Sequence, residues 1–336
     1  MSEKIKVSIL GVTGYAGLEL LRYLRNHPQV RINQLVSFTQ MGQRISEIYP
    51  HLEGLCDLLL EEFDVKKIVR ENDLVILALP HKESQKIVPE LIDKVKIIDL
   101  SGDFRLNKPF EYRKYYHKVH ECPKLLTEFV YGLPEQCKEE IKLAQNIANP
   151  GCFAIASDLA LLPLQGMIDE VDLLSITGST GSGKSPSSTT HHPVRSRNLK
   201  SYKIGEHQHI PEIAQVLDLK ESQLNFIPSS GPFARGIHLT AIIKLKYSLE
   251  NDLKYLYEEY YKKAPFVRIK EQVQLVDVVG SNFADISVTG LNGKLVVQAV
   301  IDNLIKGASG NAIENLNLMF DLPQETAINN LYPLFV

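Results

Sequence analysis

Apolar residues come in short, evenly spaced runs over the first half of the chain, with polar and glycine-rich breaks between them. Residues 5–10 (IKVSIL) are mostly apolar and β-prone, as suits a strand buried on both faces. Leu18, Leu20, Leu21 and Leu24 then fall at helical spacing, and residues 30–38 return to a strand pattern. Residues 73–81, 95–105 and 142–148 repeat the strand signal, and residues 153–162 read as an apolar helix. This rhythm predicts βαβ units and a parallel, Rossmann-type sheet. From Val171 the texture changes. A strand over 171–177 leads into a long polar stretch, and a helix is expected over 211–217 with Pro211 in position N1. Strands are expected over 238–247, 273–279, 283–291 and 294–301, with an amphipathic helix from about residue 251 that leads into a further strand. Their alternation fits an antiparallel or mixed sheet with one helix-covered face. Residues 302–306 read as a turn or helix stopped by Gly307, and 308–319 as a helix with Ala312, Ile313, Leu316 and Met319 on its apolar face. The predicted organisation is a Rossmann domain over 1–151, completed by 304–336, and an α+β catalytic and oligomerisation domain over 152–303.

Gly11, Gly14 and Gly17 stand in a GxxGxxG pattern between the first strand and its helix, with Thr13, Tyr15 and Ala16 among them. Such a turn lets the backbone approach a pyrophosphate at a helix N-terminus. An NAD-preferring site usually has a carboxylate at the end of the second strand. Here Ser37, Thr39 and Gln40 are neutral and Arg44 follows, so NADP is favoured. Pro80 and Ser101 follow later strands and are placed to border the nicotinamide cleft, as is His81. Arg105, four residues past Ser101, can reach an anionic substrate or pair with a carboxylate.

Cys152 sits after Asn149-Pro150-Gly151 and before the apolar run. A free cysteine is often simply buried. A position at a helix N-terminus beyond the sheet favours a thiolate, so a nucleophile is the better reading. His207 and His209 precede the 211–217 helix and are proton carriers near neutral pH. No third and fourth ligand stands at zinc spacing, so no metal is expected. Glu212 can orient an imidazole or hold a substrate amide. Gly178, Gly181 and Gly183, with Ser179 and Ser182, can line a cofactor or cradle a phosphate. GSTGSGKS has P-loop character, but it does not follow strand one and the nucleotide turn lies elsewhere, which argues against an ATPase. Arg235 and Gly236 precede a strand, and Asn303 and Gly307 can reach the nicotinamide amide.

Composition narrows the class. The 336 residues are 44% hydrophobic with a formal charge of -3, enough for two cores and without a basic footprint for nucleic acid. No signal-peptide cleavage pattern or membrane-length apolar run stands out. Four scattered cysteines suggest reduced thiols, so a soluble cytoplasmic protein is expected.

The stretches GVTGYAG, DLSGDFR, YGLPE, NPGCF, GSTGSG, GEHQHIPEI, FARGI and KGASGNAIEN run nearly end to end. Together they resemble the N-acyl-gamma-glutamyl-phosphate reductases, arginine-biosynthesis relatives of aspartate-semialdehyde dehydrogenase. The resemblance implies NADPH-dependent reduction of an acyl phosphate to a semialdehyde through a cysteine thioester, in a homodimer or homotetramer. It implies Cys152 as nucleophile, His207 as acid/base and the three glycines as the NADP turn. His209, Glu212 and Arg235 then belong to the substrate region. PSSGPFARG and GSGKSPSS, with Lys184, depart from the family pattern around the substrate. N-acetyl is the default acyl group. N-succinyl and carrier-linked substrates are the alternatives, with Lys184, Arg195 and Arg197 as available cations. Aspartate-semialdehyde dehydrogenase and a non-catalytic NADP sensor are the rival readings.

Overall fold

The computed structural model describes residues 3–247 and 253–329. The expected helix start at Asn251 and Asp252, and residues 330–336 of the expected first domain, lie outside them. The chain divides into two compact units. The first takes the described residues up to Pro109, then His120–Asn149 and Ala312–Ile328; the second takes Phe110–Val119 and Pro150–Asn311. The 110–119 segment thus goes with the second unit, where Lys114 pairs with Glu221.

The first unit holds strands β1 (Ile5–Leu10), β2 (Val30–Val36), β3 (Leu60–Glu61), β4 (Leu74–Leu77), β5 (Lys96–Asp99), β6 (Val130–Tyr131) and β7 (Asn146–Ala148). They lie in the order β3-β2-β1-β4-β5-β7-β6, and every pairing is parallel. β2 and β4 flank β1 on opposite sides, with Leu10 paired to Val36 and to Leu77. The order therefore switches direction at the carboxyl end of β1, which is where Gly11 stands and where open α/β sheets bind ligands. The core follows from the apolar runs: Leu10, Val36, Val75, Leu77 and Ile97 are buried, with Phe104 stacked on Phe129 at 4.2 Å. The expected strand over 142–148 is shorter than its pattern, because Lys142 and Leu143 end the helix Pro134–Leu143. The 312–328 segment returns to this unit through asparagines. Asn315 Nδ2 donates to the Gly132 carbonyl (2.9 Å) and to Asn149 Oδ1 (3.2 Å), and Asn317 Oδ1 meets His27 Nε2 at 2.9 Å.

The second unit holds β8 (Ile168–Thr177), β9 (Lys200–Ser201), β10 (Leu224–Ser230), β11 (Ile237–Leu245), β12 (Val267–Ile269), β13 (Ala284–Leu291) and β14 (Lys294–Ile301). Their order is β12-β13-β14-β11-β8-β10-β9, with parallel and antiparallel pairs. Val171, Leu173, Leu239, Ala241, Ile243, Val297 and Ala299 are buried. Helix Cys152–Leu161 packs against β11 and β14 and is itself buried from Phe153 onward. Tyr257 and Tyr261 donate their hydroxyls to the Ala160 and Leu159 carbonyls at its C-terminal end.

Three sequence expectations change here. Residues 273–279 form no strand: Leu275–Asp277 is a 3-10 turn. Leu275 packs over Gly236, and the Gly280 N–H is held by Asp302 Oδ2 at 2.8 Å, so tertiary anchors override the alternation. Gly307 does not stop a helix; it lies within the π-helical Ile305–Ser309, directly before helix Gly310–Met319. Pro211 is the third residue of helix His209–Leu217 rather than the first. A residue without an N–H is tolerated at this third position as well as at the first, since first-turn donors have no intrahelical acceptor.

Candidate active site

In the first unit the glycine turn is shaped by steric demand. Gly11 has φ +82°, and a Cβ there would overlap the Ala78 carbonyl, 2.9 Å from its carbon. A Cβ on Gly17 would come within 2.6 Å of the Gly11 oxygen. Gly14 is the N-cap of helix Tyr15–Leu24 and brings no side chain over its first turn. The turn thus brings the start of helix Tyr15–Leu24 to a position that suits a pyrophosphate. The Thr13 carbonyl accepts from the Tyr49 hydroxyl at 2.6 Å, which fixes the crest of the turn.

The remaining cofactor candidates fall into two kinds. Thr39 is exposed, Gln40 half-buried and Pro80 exposed. Ser37 is buried, and its Oγ accepts from the Thr39 and Gln40 N–H groups (3.4 and 3.2 Å), so it shapes their turn. Arg44 donates to the carbonyl and carboxylate of Asp57 at 2.8 and 2.9 Å. Ser101 is buried, donating its N–H (3.0 Å) and hydroxyl (2.7 Å) to Asp99. Burial, reinforced by Asp103, raises the Asp99 carboxyl to about 6, with the serine hydrogen bonds opposing that rise. His81 Nδ1 accepts from Gly102 N–H at 2.8 Å. Arg105 is buried, with Nε on the Asn149 carbonyl (2.8 Å) and Nη2 on the Leu100 carbonyl (2.7 Å). Ser101 and Arg105 thus brace the loop after β5.

In the second unit Cys152 is the first residue of its ten-residue helix, and Gly151 is the N-cap, without a capping side chain. The helix N-terminus favours a negative sulfur there, and its first-turn N–H groups can receive an oxyanion. Glu212, fully buried on helix His209–Leu217, accepts the Gly151 N–H on Oε1 at 2.7 Å. This ties the peptide before Cys152 to the helix that begins at His209. Gly307 completes the fit: a Cβ there would lie 2.7 Å from the Cys152 Cβ.

His207 is buried beside this helix end. Its ring lies 5.5 Å from Phe153, 5.3 Å from Phe226, 5.8 Å from Tyr202 and 4.7 Å from His209. Its Nδ1 accepts the His209 N–H at 3.2 Å. In the neutral ring that leaves the proton on Nε2, which is the nitrogen able to donate. His209 is also buried, in edge contact with Phe153 at 5.9 Å.

The glycine-serine stretch is held by backbone pairing. The N–H groups of Gly178, Ser179 and Thr180 bond to the Gly236, Phe233 and Ala234 carbonyls. Gly181 and Ser182 are exposed, and Ser179 is half-buried. Ser179–Ser182 is a 3-10 turn, and the next helix does not begin until His192, so no phosphate-binding helix follows Lys184. Asn303 is buried. Its Oδ1 accepts from the Gly236 N–H (2.7 Å) and its Nδ2 reaches Thr180 Oγ1 (3.0 Å). Arg235 grips the buried Asp302 through both carboxylate oxygens at 3.0 and 3.1 Å. Arg235 and Asn303 therefore clamp the loops around the 178–182 turn. Sequence reasoning missed Asp302, Phe226 and Tyr202, which carry no local motif. Among the described residues no cluster of three or more His, Cys, Asp or Glu side chains is placed to hold a metal, and no helix is long and apolar enough to cross a membrane.

Two family descriptions match the chain. Residues 6–144 match the semialdehyde dehydrogenase NAD binding domain, and residues 152–303 the semialdehyde dehydrogenase dimerisation domain. N-acetyl-gamma-glutamyl-phosphate reductase of Bacillus cereus (strain AH187) is 40% identical over 346 aligned positions, covering 99% of this chain and 100% of the relative. The enzyme of that name from Bacillus thuringiensis subsp. konkukian (strain 97-27) is 41% identical with the same coverage. The chain belongs to the N-acetyl-gamma-glutamyl-phosphate reductase family. It is thus a nicotinamide-dependent oxidoreductase of semialdehyde dehydrogenase type, and its glycine turn lies within the dinucleotide-binding domain. Aspartate semialdehyde dehydrogenase II of Vibrio cholerae, complexed with ASA, shares the fold with a TM-score of 0.70 at 14% identity, over 95% of this chain and 99% of that one. The Candida albicans aspartate semialdehyde dehydrogenase with NADP does so with a TM-score of 0.68 at 14% identity and the same coverage.

For this member of the N-acetyl-gamma-glutamyl-phosphate reductase family the Glu212 contact makes a testable claim. Glu212→Ala leaves the buried Gly151 N–H without its acceptor and loosens the peptide carrying Cys152. The expected loss in kcat is about 100-fold. Glu212→Gln keeps an acceptor oxygen and is expected to lose about tenfold or less. Steady-state kcat, with melting temperatures as a folding control, separates the two.

Proposed function

We propose that the chain reduces N-acetyl-gamma-glutamyl phosphate to N-acetyl-glutamate 5-semialdehyde and phosphate, with NADPH, as a step of arginine biosynthesis in the cytoplasm. The observation that carries this reading is Cys152 at the open N-terminus of a buried helix, beside a buried His207 whose neutral ring keeps its proton on Nε2. The full-length relatives of that name support the substrate.

Cys152 Sγ, as thiolate, attacks the acyl carbon. Its C–S bond forms as the C–O bond to phosphate breaks, and phosphate leaves with the electron pair. The nicotinamide, when bound, supplies a hydride to the thioester carbon. First-turn N–H groups of helix Cys152–Leu161 and the His207 Nε2–H donate hydrogen bonds to the oxyanion. The oxyanion then collapses to the aldehyde carbonyl, and the C–S bond breaks with its electron pair returning to the Cys152 thiolate. The turn around Gly11, Gly14 and Gly17 holds the pyrophosphate. Ser37, Thr39 and Gln40 place no carboxylate directly after β2, which supports NADP over NAD, while Arg44 is paired with Asp57. The matched dimerisation domain supports a homodimer or a homotetramer built from it.

The test is the reverse reaction. Purified protein is expected to reduce NADP when given N-acetyl-glutamate 5-semialdehyde and inorganic phosphate, and to show no comparable rate without phosphate. A higher kcat/KM on aspartate semialdehyde, or a phosphate-independent rate, defeats the proposal.

A further inference from the structure

The stretch between Gly181 and Glu206 inverts the usual pattern of burial. Its apolar side chains Val194, Leu199 and Ile204 are 48%, 59% and 60% exposed, while its one buried residue is a cation, Arg195, at 8%. Arg195 ends the short helix His192–Arg195 and turns inward, its Nη2 donating to the Thr177 carbonyl at the end of β8, 3.3 Å away. Its Nε is buried with no acceptor among the described residues. No described carboxylate stands within ion-pair distance of its guanidinium.

The other site arginines differ. Arg235 is neutralised by both oxygens of Asp302, and Arg105 braces two backbone carbonyls. Tyr202, whose ring lies 5.8 Å from that of His207, locates Arg195 relative to the chemistry. Burial raises the Tyr202 phenol well above its usual range, the Cys152 charge adds to that rise, and the Arg195 charge opposes it. The phenol therefore stands in the field of both the nucleophile and the guanidinium. A guanidinium keeps its proton, so a buried one without a carboxylate costs stability until an anion arrives.

We propose that Arg195 is a specificity-determining residue whose guanidinium, held by the Thr177 carbonyl and by no described protein carboxylate, binds a carboxylate of the substrate. This rests on the reaction proposed above. The carboxylate is one that stays on the substrate while the phosphate departs: the α-carboxylate of the glutamyl unit, or a second one carried by an acidic N-acyl group. A planar fork suits either.

The experiment uses the full chain in the phosphate-dependent reverse reaction, with Arg195→Met and Arg195→Lys. Arg195→Met is expected to raise the semialdehyde KM by about 10- to 100-fold and to leave the KM of phosphate and NADP within about twofold. Arg195→Lys recovers part of the loss. The melting temperature of the Met variant does not fall, because an uncompensated buried charge has been removed. Running N-acetyl- and N-succinyl-glutamate semialdehyde side by side separates the two sources. An equal rise for both substrates assigns the α-carboxylate, and a rise confined to the N-succinyl compound assigns the acyl carboxylate. The proposal is overturned if neither semialdehyde KM moves, if only the phosphate KM moves, or if the Met variant melts lower with unchanged KM. A wild-type protein that oxidises neither semialdehyde instead strikes down the reaction assignment.

Discussion

Cys152→Ser is expected to lower kcat by about four orders of magnitude or more, while the NADPH Kd changes by no more than about twofold. The substitution changes one atom at the start of a buried helix, so folding is preserved. What is lost is the anion. A serine hydroxyl holds its proton far more tightly than a thiol, and the helix N-terminus can offset only a small part of that difference. Intact-mass measurement after mixing with the acyl phosphate is expected to show an acyl adduct on the wild-type protein and none on the variant. A variant that turns over near the wild-type rate would remove Cys152 from the chemistry, and the roles given to His207 and Glu212 with it.

Gly11→Ala is expected to cost about 3 kcal/mol or more in stability and to weaken NADPH by more than about tenfold. Two penalties coincide there. The backbone is left-handed at φ +82°, and the added carbon meets the Ala78 carbonyl at the end of β4, which the sheet register holds in place. Gly42 is the internal control. It has φ +83° with nothing within 4 Å of a Cβ, so Gly42→Ala should cost only the backbone term, about 1 kcal/mol. Denaturant unfolding and NADPH titration of both variants test the comparison. Equal effects at the two positions would show that the Ala78 contact does not matter.

The first unit was readable because its signals are local. The apolar run of β1, the glycines and the helical leucines each declare themselves within a few residues, and the structure keeps β1 at residues 5–10. The place of Cys152 at a helix start was readable for the same reason, since Pro-Gly before an apolar run marks where a helix begins. The second unit was less so. Residues 273–279 alternate like a strand, but Leu275 is claimed by Gly236 and Gly280 by Asp302, both distant in sequence. The pairing of Arg235 with Asp302 and the packing of Phe226 against His207 depend on which strands become neighbours, which no window of sequence reports. Gly307 could be seen, but its purpose could not: a Cβ is forbidden there by Cys152, which lies 155 positions away (307 minus 152). The inward turn of Arg195 was equally hidden, because a polar loop has no period from which to read direction.

The asparagine ladder of the 312–328 segment governs the order in which the protein can be made. The ribosome delivers the parallel sheet first, yet the Gly132 carbonyl and the Asn149 amide receive Asn315, and His27 receives Asn317, only after every strand of the mixed sheet has been translated. The nucleotide unit is begun first and finished last, so its nascent form must wait, incomplete, through most of the chain's synthesis.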